Sequence, residues 1–275
     1  MKKIFFFLFF ATVNLVVLAG DSIRVVILHT NDTHSQVEPT SAAAPENADM
    51  GGYARRMGIL QQIRGEEQNV LLFDAGDFCQ GSPYFNFYNG RIEIDALNRM
   101  KYDAATLGNH EFDNGIDTLA VILKNAKFPI LSSNYDVSKT ALRGMIKPYI
   151  IIKRFGLKIG VMALNVNPFS LIIENNYSGL VYNEPLEAAN RMAEFLKKTK
   201  RCDVVVCLSH LGYTDDVKIA RGTRNIDVIA GGHSHTVLEN ASETNLDGKK
   251  VVIGQTGKSG LRLGRIDLVV KKDSK

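Results

Sequence analysis

No disulfide framework can be built from this sequence. It holds three cysteines, Cys79, Cys202 and Cys207. The last two flank one apolar run, Cys202-Asp203-Val204-Val205-Val206-Cys207, which reads as a strand. Five strand residues span about 16 Å at ~3.3 Å each, whereas a disulfide needs its Cα atoms within about 7 Å. Stability must come from a packed core. Excess charge is also missing. The formal charge is +4, and Lys2 and Lys3 supply two of those charges, so the rest is close to neutral. That excludes a basic nucleic-acid surface and an acidic tail. Internal repeats, low-complexity tracts and an internal linker are absent too, so residues 21–275 read as one domain.

One long apolar run does occur, at the start. Lys2 and Lys3 precede Ile4 to Ala19, interrupted only by Thr12 and Asn14, and small residues Ala19 and Gly20 follow. That order is a secretory signal peptide over residues 1–20. A membrane span needs about 20 apolar residues; this run is shorter and broken, so no stable membrane span is expected. No cysteine follows Gly20, which argues against a lipoprotein-type anchor. The expected localisation is exported, periplasmic or extracellular.

Beyond residue 20, strands and helices alternate. Strands are expected at Arg24–Leu28, Asn69–Phe73, Asp103–Leu107, Pro129–Leu131, Asp203–Leu208, Asp227–Ala230, Val251–Gly254 and Arg265–Val270. A hairpin is expected over Tyr149–Ile152 and Lys158–Leu164, turning at Phe155-Gly156. Helices are expected at Gly52–Ile63, Glu93–Met100, Gly115–Asn125, Pro185–Lys200 and Asp215–Ala220. Gln36–Met50, rich in Pro, Ala, Ser and Asn, reads as a long loop. Alternation of this kind defines an α/β layered domain.

Polar clusters stand where the apolar strands stop, the edge at which open α/β sheets bind ligands. Asp32 and His34 follow the first strand. Two residues apart, they share a face if the backbone is extended. Asp77 follows the second, presented by Gly76. Asn109, His110 and Asp113 follow the third, and Asp113 is spaced to orient His110. His210 ends a later strand, and His233 and His235 end another. Five of the six histidines of the chain lie in these clusters. Any one alone is better explained as a packed or turn residue; the set is not.

Asp, Asn and His without a thiolate form a mixed oxygen and nitrogen set. Such a set suits Zn or Mn, with Co or Fe as further options, better than Mg or Ca. Seven ligand positions exceed one tetrahedral ion and suit two ions about 3.5–4 Å apart that share a carboxylate.

The order D-x-H, G-D, G-N-H-E, H, G-H-x-H resembles the signature of calcineurin-like metallophosphoesterases. The strings Leu28–His34, Gly51–Arg55, Gly108–Asp113 and Gly231–His235 look like the 5'-nucleotidase branch. The resemblance covers nearly all of residues 21–270. It implies a four-layer α/β/β/α sandwich of two mixed sheets flanked by helices. It implies that Asp32, His34, Asp77 and His235 hold one divalent metal ion, and Asp77, Asn109, His210 and His233 the other. It makes Asn109 and His110 phosphate-binding, and His110 with Asp113 the catalytic pair. The activity implied is hydrolysis of nucleoside monophosphates. A phosphodiesterase for 2',3'-cyclic nucleotides or nucleotide sugars is the alternative on the same core. Members of that branch usually carry a second, C-terminal domain that holds the base and clamps the phosphate, and this chain ends where it is expected to begin. Recognition is then simpler, or supplied by a separate substrate-binding chain, and a scaffold subunit with little activity alone becomes the rival from another class. A nuclease is disfavoured by the near-neutral charge.

Four further features stay open at this level. His29 either supports a ligand from behind or simply packs. Cys79 reads as a packing cysteine. The run Pro83–Tyr88 stacks on a base, packs under the next helix or meets a partner. The Asn-Tyr-Ser sequon at Asn176 is not read as glycosylated in an export context of this kind.

Overall fold

Apolar residues alternate along each central strand, and so each strand feeds two cores. In the strand Ser22–Thr30, Val25 and Ile27 face one way, and Val26 and Leu28 the other. In Val70–Asp74, Leu71 and Phe73 oppose Leu72. In Val204–His210, Val204, Val206 and Leu208 oppose Val205 and Cys207. The computed structural model, which describes residues 22–271, shows where these faces go. The expected signal segment, residues 1–20, lies outside the described residues.

Two six-stranded sheets pack face to face. In the first the order is Gly264–Lys271, Ser22–Thr30, Val70–Asp74, Ala104–Thr106, Ile130–Leu131 and Ile146–Lys147. All neighbours are parallel except the first pair. In the second the order is Ala241–Thr244, Lys250–Gly254, Val228–Gly231, Val204–His210, Leu157–Asn165 and Tyr149–Arg154. Its two outer pairs are antiparallel and its centre parallel. Val25, Ile27, Leu71 and Phe73 of one sheet meet Val161, Ala163, Val206 and Leu208 of the other in the middle core. Helices Tyr53–Glu66, Arg91–Met100 and Ile116–Leu123 share an outer core with Val26, Leu28 and Leu72. Helices Pro185–Glu194 and Tyr213–Gly222 share the opposite one with Val205, Cys207 and Ile229. The layers are therefore α/β/β/α, as the resemblance implies.

Phe73 sits fully buried between the sheets. Phe73→Ala is expected to cost about 3–5 kcal/mol of stability, read from denaturant melts of the two proteins. A cost below about 1 kcal/mol would mean that the two sheets close over the gap.

Most expected elements are present with shifted ends. Three parallel strands begin one residue later than expected because an aspartate precedes each. Asp103 accepts the amide of Leu72 at 2.9 Å, Asp203 that of Lys158 at 2.7 Å, and Asp227 that of Val205 at 2.8 Å. Each aspartate also donates its own amide to the carbonyl of that same residue, so side chain and backbone together close the approach to the strand. The hairpin turns at Phe155 and Gly156, both at positive φ (56° and 70°), the mirror-image turn that matches strand twist. The helix from Pro185 is regular to Glu194 and ends in a wider π turn over Phe195–Thr199. Pro83–Tyr88 forms a short helix, with Phe85 buried and Phe87 79% exposed. Only Phe85 meets the packing expectation, and Phe87 and Tyr88 face solvent. The three cysteines are buried and free. No helix among the described residues is long and apolar enough to cross a membrane.

Candidate metal centre

Parallel strands that end level deliver their loops to one edge. Thr30 pairs with Asp74, Thr106 with Leu131, Ser209 with Gly231 and His210 with Asn165. Every expected site residue leaves the sheets at this edge. The extended backbone assumed for Asp32 and His34 does not occur. Both lie beyond the strand end at left-handed φ (48° and 45°), as do Asp77 (55°), His233 (72°) and His235 (53°). Each such non-glycine residue costs roughly 1–2 kcal/mol. These five residues of one edge are held in that conformation by the surrounding structure. Close loop contact makes it achievable. A Cβ on Gly76 would stand 2.6 Å from the amide nitrogen of Gly108, and one on Gly108 would stand 2.1 Å from Asp77 Oδ1.

Three groups of donor atoms result, each within 4.8 Å of one another: Asp32, His34 and His235; His34, Asp77 and His110; and Asp77, His210 and His233. Asn109 joins the last group, its Oδ1 lying 3.1 Å from His233 Nδ1. His34 Nε2 and His235 Nε2 face each other at 3.0 Å. His235 Nε2 lies 3.4 Å from Asp32 Oδ1, and His210 Nε2 lies 3.1 Å from Asp77 Oδ2. His210 Nδ1 donates to the Ala75 carbonyl at 2.7 Å. That fixes the tautomer and leaves Nε2, buried and without a hydrogen-bond partner, to face the site. Nitrogen and oxygen lone pairs aimed at a common space fit divalent cations in a shared, two-ion arrangement.

Electrostatics agree with that fit. Burial opposes charge on Asp77, yet His210 and His110 hold its carboxyl well below the usual range. Burial likewise opposes charge on His210, but the Asp77 carboxylate overrides it and pushes the imidazole up to about 10. A cation entering this pair must displace that proton. Burial keeps His34 and His233 below the ordinary imidazole value, hence neutral and able to coordinate. His110 differs. Its Nδ1 is 2.9 Å from Asp113 Oδ2, and this hydrogen bond raises its pKa despite partial burial.

The supports for these loops were not anticipated. Asn31 donates to Asp32 Oδ2 at 2.6 Å and accepts from the amide and hydroxyl of Thr256. Gln255 accepts from Ser234 Oγ at 3.0 Å and donates to the Gly232 carbonyl at 2.9 Å. The signal was present in kind: Gln255 and Thr256 follow the apolar strand Lys250–Gly254. Asn176 reaches the Asp113 carbonyl at 2.8 Å, so its amide is engaged beside the catalytic candidate. Cys79 packs beside Gly90, and its amide donates to Glu111.

His29 packs and touches none of the clustered residues. Its ring lies against Gly254 and Gly264, and both nitrogens are buried without partners. Burial lowers its pKa to about 4. The unfolded chain, with a value near 6.5, then binds the proton first. The stability tied to a neutral His29 is therefore complete above about pH 6.5 and is lost as pH falls toward 4, roughly 3 kcal/mol in all. His29→Phe should remove this acid-side slope, seen by comparing denaturant midpoints of the two proteins at pH 7 and pH 4.5. Parallel profiles would refute the assignment.

Residues 25–237 match the family model described as calcineurin-like phosphoesterase. The chain is 35% identical over 268 residues to a snake venom 5'-nucleotidase of Naja atra, covering 90% of this chain and 50% of that one. It is 36% identical over 274 residues to a 5'-nucleotidase of Homo sapiens, covering 91% and 47%. The crystal structure of a 5'-nucleotidase precursor from Thermus thermophilus superposes with a TM-score of 0.84 at 34% identity, covering 89% of this chain and 51% of that one. The chain thus spans about half the length of these relatives. With the sandwich fold, the motif order and a family match that extends from the first strand past His235, the chain belongs to the calcineurin-like phosphoesterase family.

Proposed function

We propose that residues 21–275 form the catalytic domain of a 5'-nucleotidase-type phosphohydrolase, which releases phosphate from nucleoside monophosphates after export directed by residues 1–20. The observation that carries this reading is the convergence of seven side chains on one sheet edge, with donor atoms within 4.8 Å inside each group, joined by Asn109 beside His233. Asp32, His34, Asp77 and His235 would hold one divalent cation, and Asp77, Asn109, His210 and His233 the other; Zn and Mn fit this donor set best. Such a pair supplies Lewis acidity toward phosphoryl oxygens and a water of lowered pKa.

The remaining chemistry belongs to the chain. Asn109 and His110 bind the phosphoryl group. His110 is held through Nδ1 by Asp113, so its other nitrogen is free to meet the substrate, and the hydrogen bond to Asp113 favours its protonated form. It neutralises developing charge and passes a proton to the departing nucleoside oxygen.

The test is phosphate release from AMP, a 2',3'-cyclic nucleotide, a nucleotide sugar and p-nitrophenyl phosphate, after metal stripping and re-addition of Zn or Mn. Metal-dependent turnover of AMP supports a self-sufficient nucleotidase. Preference for the cyclic ester or the nucleotide sugar would replace it with a diesterase. Turnover of the aryl ester alone would place recognition outside the chain. Metal uptake with no turnover would leave a scaffold subunit.

A further inference from the structure

Glu111 lies next to His110 but points the opposite way. The short 3-10 turn His110–Phe112 leaves His110 partly exposed and buries Glu111 to 2%. Among the described residues no arginine, lysine or histidine pairs with its carboxylate. A buried carboxylate without a counter-charge is costly unless hydrogen bonds replace the lost water. Here three backbone amides do so. Oε2 accepts from Asp77 at 3.0 Å and from Gly108, and Oε1 accepts from Cys79 at 3.0 Å. In return, Asp77 Oδ1 accepts the His110 amide at 2.9 Å. Two loops from different strands are therefore tied by three bonds running in both directions, and the fourth, from Gly108, folds the second loop onto its own Glu111.

The two oxygens of one carboxyl group meet three convergent N–H groups, whereas an amide in the same place would turn two hydrogens of its own toward them. The bonds fall on the amide of Asp77, the one residue common to the second and third donor groups. They also fall on Gly108, next to Asn109. We propose that Glu111 is a positioning residue that sets the distance between Asp77 and the Asn109-His110 loop, and so keeps both cation sites formed before any cation arrives. The proposal rests on the two-cation reading of the site. It assigns Glu111 no contact with cation or substrate.

Glu111→Gln retains one acceptor oxygen and sets an NH2 group against a backbone N–H. The dissociation constant for Zn, measured by competition with a chelator of known affinity, is expected to rise about 10- to 100-fold. Excess Zn should restore much of kcat, because the ligands themselves remain. A purely structural role would lower the melting temperature of the metal-free protein and leave the Zn constant unchanged, which would overturn the proposal. If the variant does not fold, amide hydrogen exchange in the metal-free wild type decides. The amides of Asp77, Cys79 and Gly108 should already be protected; rapid exchange at all three would show that no preformed clamp exists. A wild type that binds no Zn would sink the two-cation reading, and this proposal with it. Normal Zn binding by both proteins would sink the role of Glu111 alone.

Discussion

Asp77→Ala is expected to cost the chain both cation sites and at least ~10³-fold in kcat/KM, the consequence of losing several kcal/mol of charge stabilisation. Asp77 is nearly dry, stands at left-handed φ and lies 3.1 Å from the unpartnered nitrogen of His210. It also joins the donor group that contains His34 and His110. Removing His235 takes one donor from one group, whereas removing Asp77 breaks the link between groups. The metal-free protein should react as well, since His210 loses the carboxylate that holds its proton and reverts to a neutral buried imidazole. Asp77→Asn separates charge from shape: it keeps an oxygen for the His110 amide and removes the negative charge. Metal content by elemental analysis and phosphate release should fall in both variants. Asp77→Asn with full metal content and turnover would show that the carboxylate is not shared between cations.

Which residues would meet was legible because two simple patterns coincide. Apolar runs of three to nine residues give strands, and strands that pair in parallel end together. Polar residues placed just after each run, such as Asp32, Asp77, Asn109, His210 and His233, are then delivered to one edge whatever the loop details. How they meet was not legible. Spacing of two suggested an extended backbone at Asp32 and His34, but both take left-handed φ, as do His233 and His235. Contacts with distant segments stabilise that conformation, such as the amide of Asp32 on the Gly76 carbonyl and that of His34 on the Asp77 carbonyl. Asn31 with Thr256 and Glu111 with Cys79 are likewise pairings between segments far apart in the chain. No local pattern encodes them. The two-residue strands Tyr135–Asp136 and Val181–Tyr182 pair only with each other and are too short for any periodicity to announce. Strand starts shifted for a related reason: Asp103, Asp203 and Asp227 look like strand residues until the neighbouring amide that each one caps is known.

His110→Ala is expected to reveal its role through the leaving group. On a nucleoside monophosphate the departing alkoxide needs a proton, and loss of a positioned general acid costs on the order of 10²–10⁴-fold in kcat. A p-nitrophenolate leaves as a stable anion, so the same substitution should cost far less there. The donor groups anchored by Asp32, His34, His210, His233 and His235 remain, and metal content should be little changed. Asp113→Asn tests the same assignment through pH. The hydrogen bond that His110 donates to Asp113 is the main cause of its raised pKa, and a general acid works only below its pKa. The basic limb of the kcat/KM profile should therefore move to lower pH in Asp113→Asn, with activity at low pH least affected. Bound cations shift both proteins' profiles in the same direction, so the difference between them survives metal loading. Equal losses on both substrates in His110→Ala, with an unmoved basic limb in Asp113→Asn, would make His110 a phosphate-binding residue rather than the acid. The proton for the nucleoside would then have to come from solvent.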